Sequence, residues 1–290
     1  RQRQMCIRDS YYSEREKRTL TQKPKFTVAD FISGKFSDNL ESYLTDQVPL
    51  RDGWVTMKTY MELAIGKRES GGVYICKDKY LMDKFTSYSK KQLAANAAAL
   101  ADLQEKLAAE GISMNTILVP MAAQVLTDKL PAYAPVADYA AILQVLTDAG
   151  VDTTDVLSAL AAHSSENIYY RTDHHWTSLG AHCAFDASAE LLGIETPITD
   201  YSVHVLTNSF EGTLASKSGK HTAVDAITAY EPLGTDVSYY VVYDSTQEKA
   251  GSVYVDSALD TKDKYTVFFG GNHPLVTIKT TCLLYTSDAA

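Results

Sequence analysis

Thr116-Ile117-Leu118-Val119, closed by Pro120, is the stretch that most narrows what this chain can fold into. Four apolar or β-branched residues in a row leave no polar face for solvent, so as a strand they must be covered on both sides. Helical patterns flank the run. Ser89 is placed to cap the preceding helix, which runs to about Glu110 with Leu93, Leu100, Leu103 and Leu107 as its buried stripe and Gly111 as its stop. Residues 137–149 form the following helix. Val151-Asp152 then offers a second short strand, and residues 154–163 a further helix. Helix alternating with short buried strand is the α/β pattern, in which sites form beyond the carboxyl ends of strands. Pro120-Met121 and Asp152-Thr153 are therefore the expected site rims.

Residues 11–66 read as a polar tether and a helical lead-in. Phe36, Leu40, Tyr43 and Leu44 recur at helical spacing. After Pro49 and a break at Arg51-Asp52-Gly53, Trp54, Met57, Met61, Ala64 and Ile65 share one face, with Gly66 as the stop. Gly71-Gly72 opens a hairpin whose strands, Val73-Tyr74-Ile75-Cys76 and Tyr80-Leu81-Met82, are joined by Lys77-Asp78-Lys79. Beyond Gly193 the character changes. Residues of about 200–269 are rich in Val, Tyr and Thr, and 238–243, 252–255 and 265–269 read as strands of an antiparallel extension.

The two ends stand apart. Residues 1–10, RQRQMCIRDS, and 282–290, CLLYTSDAA, resemble translated sequencing adapters and are expected to be artefacts. That leaves 67–281 as the main domain, and only Cys76 and Cys183, too far apart for a zinc motif or a disulfide framework. A formal net charge of -9, from 27 basic and 36 acidic residues, argues against a nucleic-acid partner. No apolar run approaches the ~20 residues that a membrane helix needs.

Chemistry concentrates in Tyr169-Tyr170-Arg171-Thr172-Asp173-His174-His175-Trp176-Thr177, which runs into a helix over 178–192 that Thr177 can cap. Asp173 and His175 are two apart, so in an extended or turning segment they can face the same side. A carboxylate there can take the proton of one ring nitrogen and leave the other free to deprotonate a hydroxyl. Trp176 can wall the site from water, and Arg171 can bind an oxyanion or a carboxylate. The same residues also suit a helix cap with two surface imidazoles. Alternatively, the histidines could ligate a metal with Asp173 and His182, although the spacing matches no familiar zinc pattern.

Thr172-Asp173-His174-His175-Trp176-Thr177 resembles the signature of the DHHW family of bacterial envelope proteins. The resemblance extends, in order, through Gln47-Val48-Pro49-Leu50-Arg51-Asp52, Gly72-Val73-Tyr74, Tyr169-Tyr170-Arg171, Gly212-Thr213-Leu214-Ala215-Ser216-Lys217-Ser218-Gly219 and Gly270-Gly271-Asn272-His273-Pro274. That family is similar in turn to the SGNH-like acetyltransferases that modify exopolysaccharides such as alginate. The resemblance implies an α/β fold, a three-layer α/β/α sandwich with the helical lead-in and the β-rich extension added. It implies Asp173 as orienting acid, His175 as base, and a serine nucleophile on an Asp-Ser turn beyond Asn272. Arg171, His174, Trp176 and Asn272 are its candidates for contact with substrate or oxyanion. Ser287-Asp288 has the pair in the wrong order, so the expectation is a chain that lacks its nucleophile and is inactive alone. The implied partners are a cell-surface polysaccharide and an acyl donor, with no cofactor and no metal. The implied location is extracytoplasmic, with a signal or membrane anchor lost upstream of Tyr11. A non-catalytic envelope module that binds glycan or assembles with partners is the alternative.

Overall fold

The computed structural model describes residues 10–13, 18–194, 200–233 and 238–280. Of the adapter-like ends, all but Ser10 lies outside the described residues, as does Thr281. So does the expectation about Ser287-Asp288.

A short antiparallel pair, β1 (Tyr12–Ser13) and β2 (Arg18–Thr19), leads into α1 (Val28–Ile32), α2 (Lys35–Gln47) and α3 (Arg51–Ala64). The break expected at Arg51-Asp52-Gly53 is the first turn of α3 instead. Leu50 takes the left-handed conformation (φ 58°) and performs the interruption one residue earlier. Asp52 then sits in the first turn, where a carboxylate suits the positive end of the helix.

The hairpin follows as β3 (Glu69–Ser70), β4 (Val73–Ile75) and β5 (Leu81–Asp83), one antiparallel sheet. Next come α4 (Lys90–Ala109), β6 (Thr116–Leu118), α5 (Ala122–Val125), α6 (Tyr139–Asp148), β7 (Thr153–Asp155) and α7 (Leu157–Ala162). Ser89 caps α4 by accepting from the Gln92 amide at 3.2 Å. Its buried position is Ala97, while Leu103 is 47% exposed, so the apolar stripe is narrower than the leucine spacing suggests.

Strands β6 and β7 pair in parallel, Thr116 opposite Thr153 and Leu118 opposite Asp155. The second strand thus lies two residues beyond Val151-Asp152, and Val151 packs between the helices instead. Successive residues of β6 point to opposite faces, as the pleat requires. Ile117 packs with Val125, Leu126, Val156 and Leu160, and Leu118 packs with Ala97, Leu146 and Val151. Helices α5 and α7 therefore cover one face of the strand and α4 and α6 the other, which is the α/β/α layering.

The remainder contains α8 (Ser178–Ser188), β8 (Tyr201–Phe210), α9 (Thr213–Ser218), β9 (Asp225–Pro232), β10 (Tyr239–Tyr243), β11 (Glu248–Ala250) and β12 (Val276–Thr280). Strands β8 and β9 form an antiparallel pair, and β10 pairs with both β11 and β12. Two expected strands are absent. Residues 252–255 make only the isolated Tyr254–Phe268 bridge, and Lys264–Val267 is a 3-10 turn. Local bonds explain both: the Ser252 hydroxyl accepts from the Tyr254 amide, and the Asp263 carbonyl accepts from the Thr266 amide and hydroxyl. The aromatic content that suggests a strand fills a core made by Tyr170, Phe210, Ile227 and Val267.

Candidate active site

The segment of residues 169–176 closes on itself. Tyr169 and Trp176 form an antiparallel bridge, the Thr177 amide donates to the Ile168 carbonyl at 2.9 Å, and the Tyr170 amide to the His175 carbonyl at 3.3 Å. Thr177 caps α8 through the Gly180 amide. Gly180 is required there, because a Cβ would stand 2.2 Å from the Ile168 carbonyl oxygen. The two tyrosines diverge. Tyr169 enters the core beside β6, where its hydroxyl donates to the Pro120 carbonyl at 2.6 Å, and Tyr170 enters the core of the extension. The loop is the seam between the two cores, and Pro120, an expected rim residue, touches it.

Two buried carboxylates shape this loop. Asp225, at the start of β9, accepts from the Arg171 amide (2.9 Å), the Thr172 amide (2.8 Å) and the Thr172 hydroxyl (2.6 Å). Asp173 itself is 2% exposed. Its Oδ1 accepts from Nδ1 of His175 at 2.5 Å and from the His175 amide at 3.1 Å. Its Oδ2 accepts from the amide and the hydroxyl of Thr213, both at 2.8 Å. The Thr213 hydroxyl, donating there, accepts from Nδ1 of His174 at 3.0 Å. The network assigns the Nδ1–H tautomer to both neutral rings and leaves the lone pair on Nε2 of each. Among the described residues nothing is hydrogen-bonded to Nε2 of His175.

Burial pushes the Asp173 carboxyl upward, but the bonds from His175 and Thr213, and the positive charge that either imidazole carries once protonated, outweigh it, and its pKa falls well below the usual carboxylate range. His174 is lowered, chiefly by burial, with Asp173 pulling the other way. The side chains of His174 and His175 are 44% and 38% exposed, so the buried carboxylate carries two accessible rings. The His175 ring stacks on Tyr265 at 4.3 Å and 11°, and lies 3.9 Å from the His174 ring. Tyr265 is itself pushed up to about 12 by burial and by the Asp173 charge.

The other expected site residues lie as follows. The Arg171 guanidinium rests over the Tyr80 ring at 5.2 Å and donates to Asn167 at 2.9 Å. Trp176 packs against the core beneath the loop. Asn272 is exposed, next to His273, whose ring packs on Tyr243 at 4.3 Å, and among the described residues no hydrogen bond joins it to Asp173 or His175. Asp173, His174 and His175 bring three potential ligand atoms within 4.8 Å of one another, but His182 faces Asp186 at 3.3 Å and Tyr201 instead. A cation among those three would have to displace the proton that His175 gives to Asp173.

The family described as "SGNH hydrolase-like domain, acetyltransferase AlgX" matches residues 77–272, which include the whole loop and well over half of the chain. The chain belongs to that family. Its SGNH-like domain is 25% identical over 188 residues to the probable alginate O-acetylase AlgJ of Pseudomonas aeruginosa, covering 61% of this chain and 47% of that protein. AlgJ of Pseudomonas syringae pv. tomato is 21% identical over 189 residues, 62% of this chain and 48% of that one. The chain spans about half the length of the curated relatives it matches. Among solved structures, a DHHW family protein from Eubacterium siraeum superimposes with a TM-score of 0.59 at 24% identity, covering 74% of this chain and 73% of that one. PatB1 of Bacillus cereus, solved with a sulfonyl adduct, follows with 0.54 at 18% identity, covering 70% and 72%. Both share the SGNH-like fold.

Sequence reasoning misses Thr213, Asp225, Gly212 and Tyr265 as parts of this site. Gly212 lies against the carboxylate: a Cβ there would stand 2.3 Å from the Asp173 Cβ and 2.6 Å from its Oδ2. The signal for Gly212 and Thr213 was the Gly-Thr-Leu-Ala-Ser-Lys-Ser-Gly segment carried by the family resemblance. Asp225 and Tyr265 carry no local signal.

Proposed function

We propose that the intact protein is an extracytoplasmic SGNH-like O-acyltransferase or esterase acting on cell-surface polysaccharide. The observation that carries this reading is the Asp173–His175 hydrogen bond, with the His175 ring half-exposed and its Nε2 unengaged among the described residues. Asp173 orients the ring and stabilises the imidazolium that forms. The nucleophile is a serine hydroxyl outside the described residues. Its oxygen attacks the donor's carbonyl carbon as His175 Nε2 takes its proton. The tetrahedral intermediate expels the donor's leaving oxygen or sulfur, which recovers that proton. A polysaccharide hydroxyl then attacks the acyl-serine, His175 again holding the proton in transit; with water in its place the outcome is hydrolysis. His174 is the candidate for substrate contact, as its half-exposed ring lies 3.9 Å from that of His175. The names of the AlgJ relatives support polysaccharide as acceptor and acetyl as the acyl group.

The test is acyl transfer from p-nitrophenyl acetate to an oligosaccharide, run on the full-length protein read from its source locus and on the present chain. His175-dependent turnover is expected in the former only. Turnover in the present chain that vanishes in His175→Ala would overturn the external serine. The unengaged Nε2 also suits a non-catalytic glycan-binding module. A full-length gene without an Asp-Ser turn, and without turnover, would establish that reading instead.

A further inference from the structure

A single hydrogen bond holds one atom of a ring and constrains its plane only loosely. The bond from Nδ1 of His175 to Asp173 Oδ1, at 2.5 Å, is of that kind. Tyr265 supplies a second constraint. Its ring lies 4.3 Å from the His175 ring at 11°, close to parallel, and the His174 ring is the other neighbour, at 3.9 Å and 36°. Tyr265 is held in turn by three rings of the extension. It meets Phe268 edge-on at 5.2 Å, Tyr170 edge-on at 6.2 Å, and Phe210 at 6.1 Å and 30°.

The backbone around Tyr265 is pinned as well. The Asp263 carbonyl accepts from the Thr266 amide and hydroxyl, the Val267 carbonyl from the Val255 amide at 2.7 Å, and the Val253 carbonyl from the Phe269 amide at 2.7 Å. Phe269 takes the left-handed conformation (φ 58°), which is unfavourable for a bulky residue. The turn thus overrides the strand preference of Tyr265, Val267 and Phe268 and strains the residue that follows. Departures of this kind concentrate where function requires a particular placement. What the turn places is a flat aromatic face against the imidazole that Asp173 orients.

We propose that Tyr265 is a positioning residue for His175: its ring fixes the plane in which Nε2 is presented, and its π face stabilises the imidazolium formed when that nitrogen takes a proton. The role rests on the acyl-transfer reading of Asp173 and His175. A cation within about 6 Å of an aromatic centroid is attracted to the ring face. Tyr265 stays a neutral phenol, as burial and the Asp173 charge push its pKa up to about 12. The other groups facing the new charge are Asp173, which attracts it, and His174, whose own charging burial disfavours.

In the present chain, NMR should show cross-relaxation between the ring protons of Tyr265 and His175, and their absence would overturn the proposal without any variant. Carbon relaxation of the His175 ring should then report greater mobility in Tyr265→Leu and none in Tyr265→Phe, which keeps the aromatic face. In the full-length protein, Tyr265→Leu should lower kcat for p-nitrophenyl acetate about tenfold with KM unchanged. Tyr265→Phe should restore the parent kcat. Ile227→Val thins the same core, leaves both rings in place, and should change neither readout. A rise in KM alone would make Tyr265 a substrate contact, and equal losses in Phe and Leu would assign the effect to the hydroxyl; either overturns the proposal, as does an unchanged His175 ring in Tyr265→Leu. Ring mobility that follows the Leu and Phe pattern, in a full-length protein without His175-dependent cleavage, would sink the acyl-transfer reading alone.

Discussion

The loop of residues 169–176 has two halves that bury a carboxylate for opposite ends. In the front half, Asp225 is spent on two backbone amides and one hydroxyl, groups that do not titrate near neutrality. It fixes where Arg171 and Thr172 lie. In the back half, Asp173 gives Thr213 one oxygen and keeps the other for an imidazole that solvent reaches. The front carboxylate shapes the chain, and the back one sets which nitrogen of a ring is free. Burial is common to both, so burial alone does not distinguish a scaffold acid from a functional one; the donors do.

The first way to break this contrast is Asp225→Ala. Two buried amides and a hydroxyl lose their acceptor, and urea unfolding should report a loss of about 3–5 kcal/mol, with activity falling in step. His175→Ala should do the reverse. Stability should change by about 1 kcal/mol, while acyl transfer by the full-length protein falls about a thousandfold, close to 4 kcal/mol of barrier. Gly212→Ala sharpens the comparison by pushing a methyl group against Asp173, and should cost about 1–3 kcal/mol in the same unfolding assay.

Asp173→Asn has a characteristic pH signature. The folded pKa of Asp173 is depressed, so its ionised form adds stability above the unfolded value of about 4, and that contribution is lost as pH falls through the folded value. Urea midpoints of the parent chain should drop between neutrality and pH 3 more steeply than those of the variant. Equal slopes would mean that Asp173 gains nothing from its partners.

Much of the α/β portion is legible from local pattern. The Ser89 and Thr177 caps, the left-handed glycines at 66, 111 and 193, and the parallel run at Thr116 follow from rules acting over a few residues. The errors there are small: a strand displaced by two residues, and Leu103 left outside. The extension is less legible. Val, Tyr and Phe at 265–268 suit a strand, yet the chain turns there because Asp263 bonds Thr266 and the rings find Tyr170 and Phe210. The site divides similarly. Asp173 and His175 are neighbours in sequence, so their chemistry can be read directly. Thr213 and Asp225 lie 40 or more residues away, and only the folded seam brings them in.

Tyr169 and Tyr170 root in different cores, and the ring beneath His175 belongs to the second of them. Proteins open in cooperative units of unequal stability. If the extension detaches first, His175 loses its shelf while the layers around β6 remain intact. The free energy that guards the site is then that of the weaker unit, and amide exchange in 254–268 measures it more faithfully than any global melt.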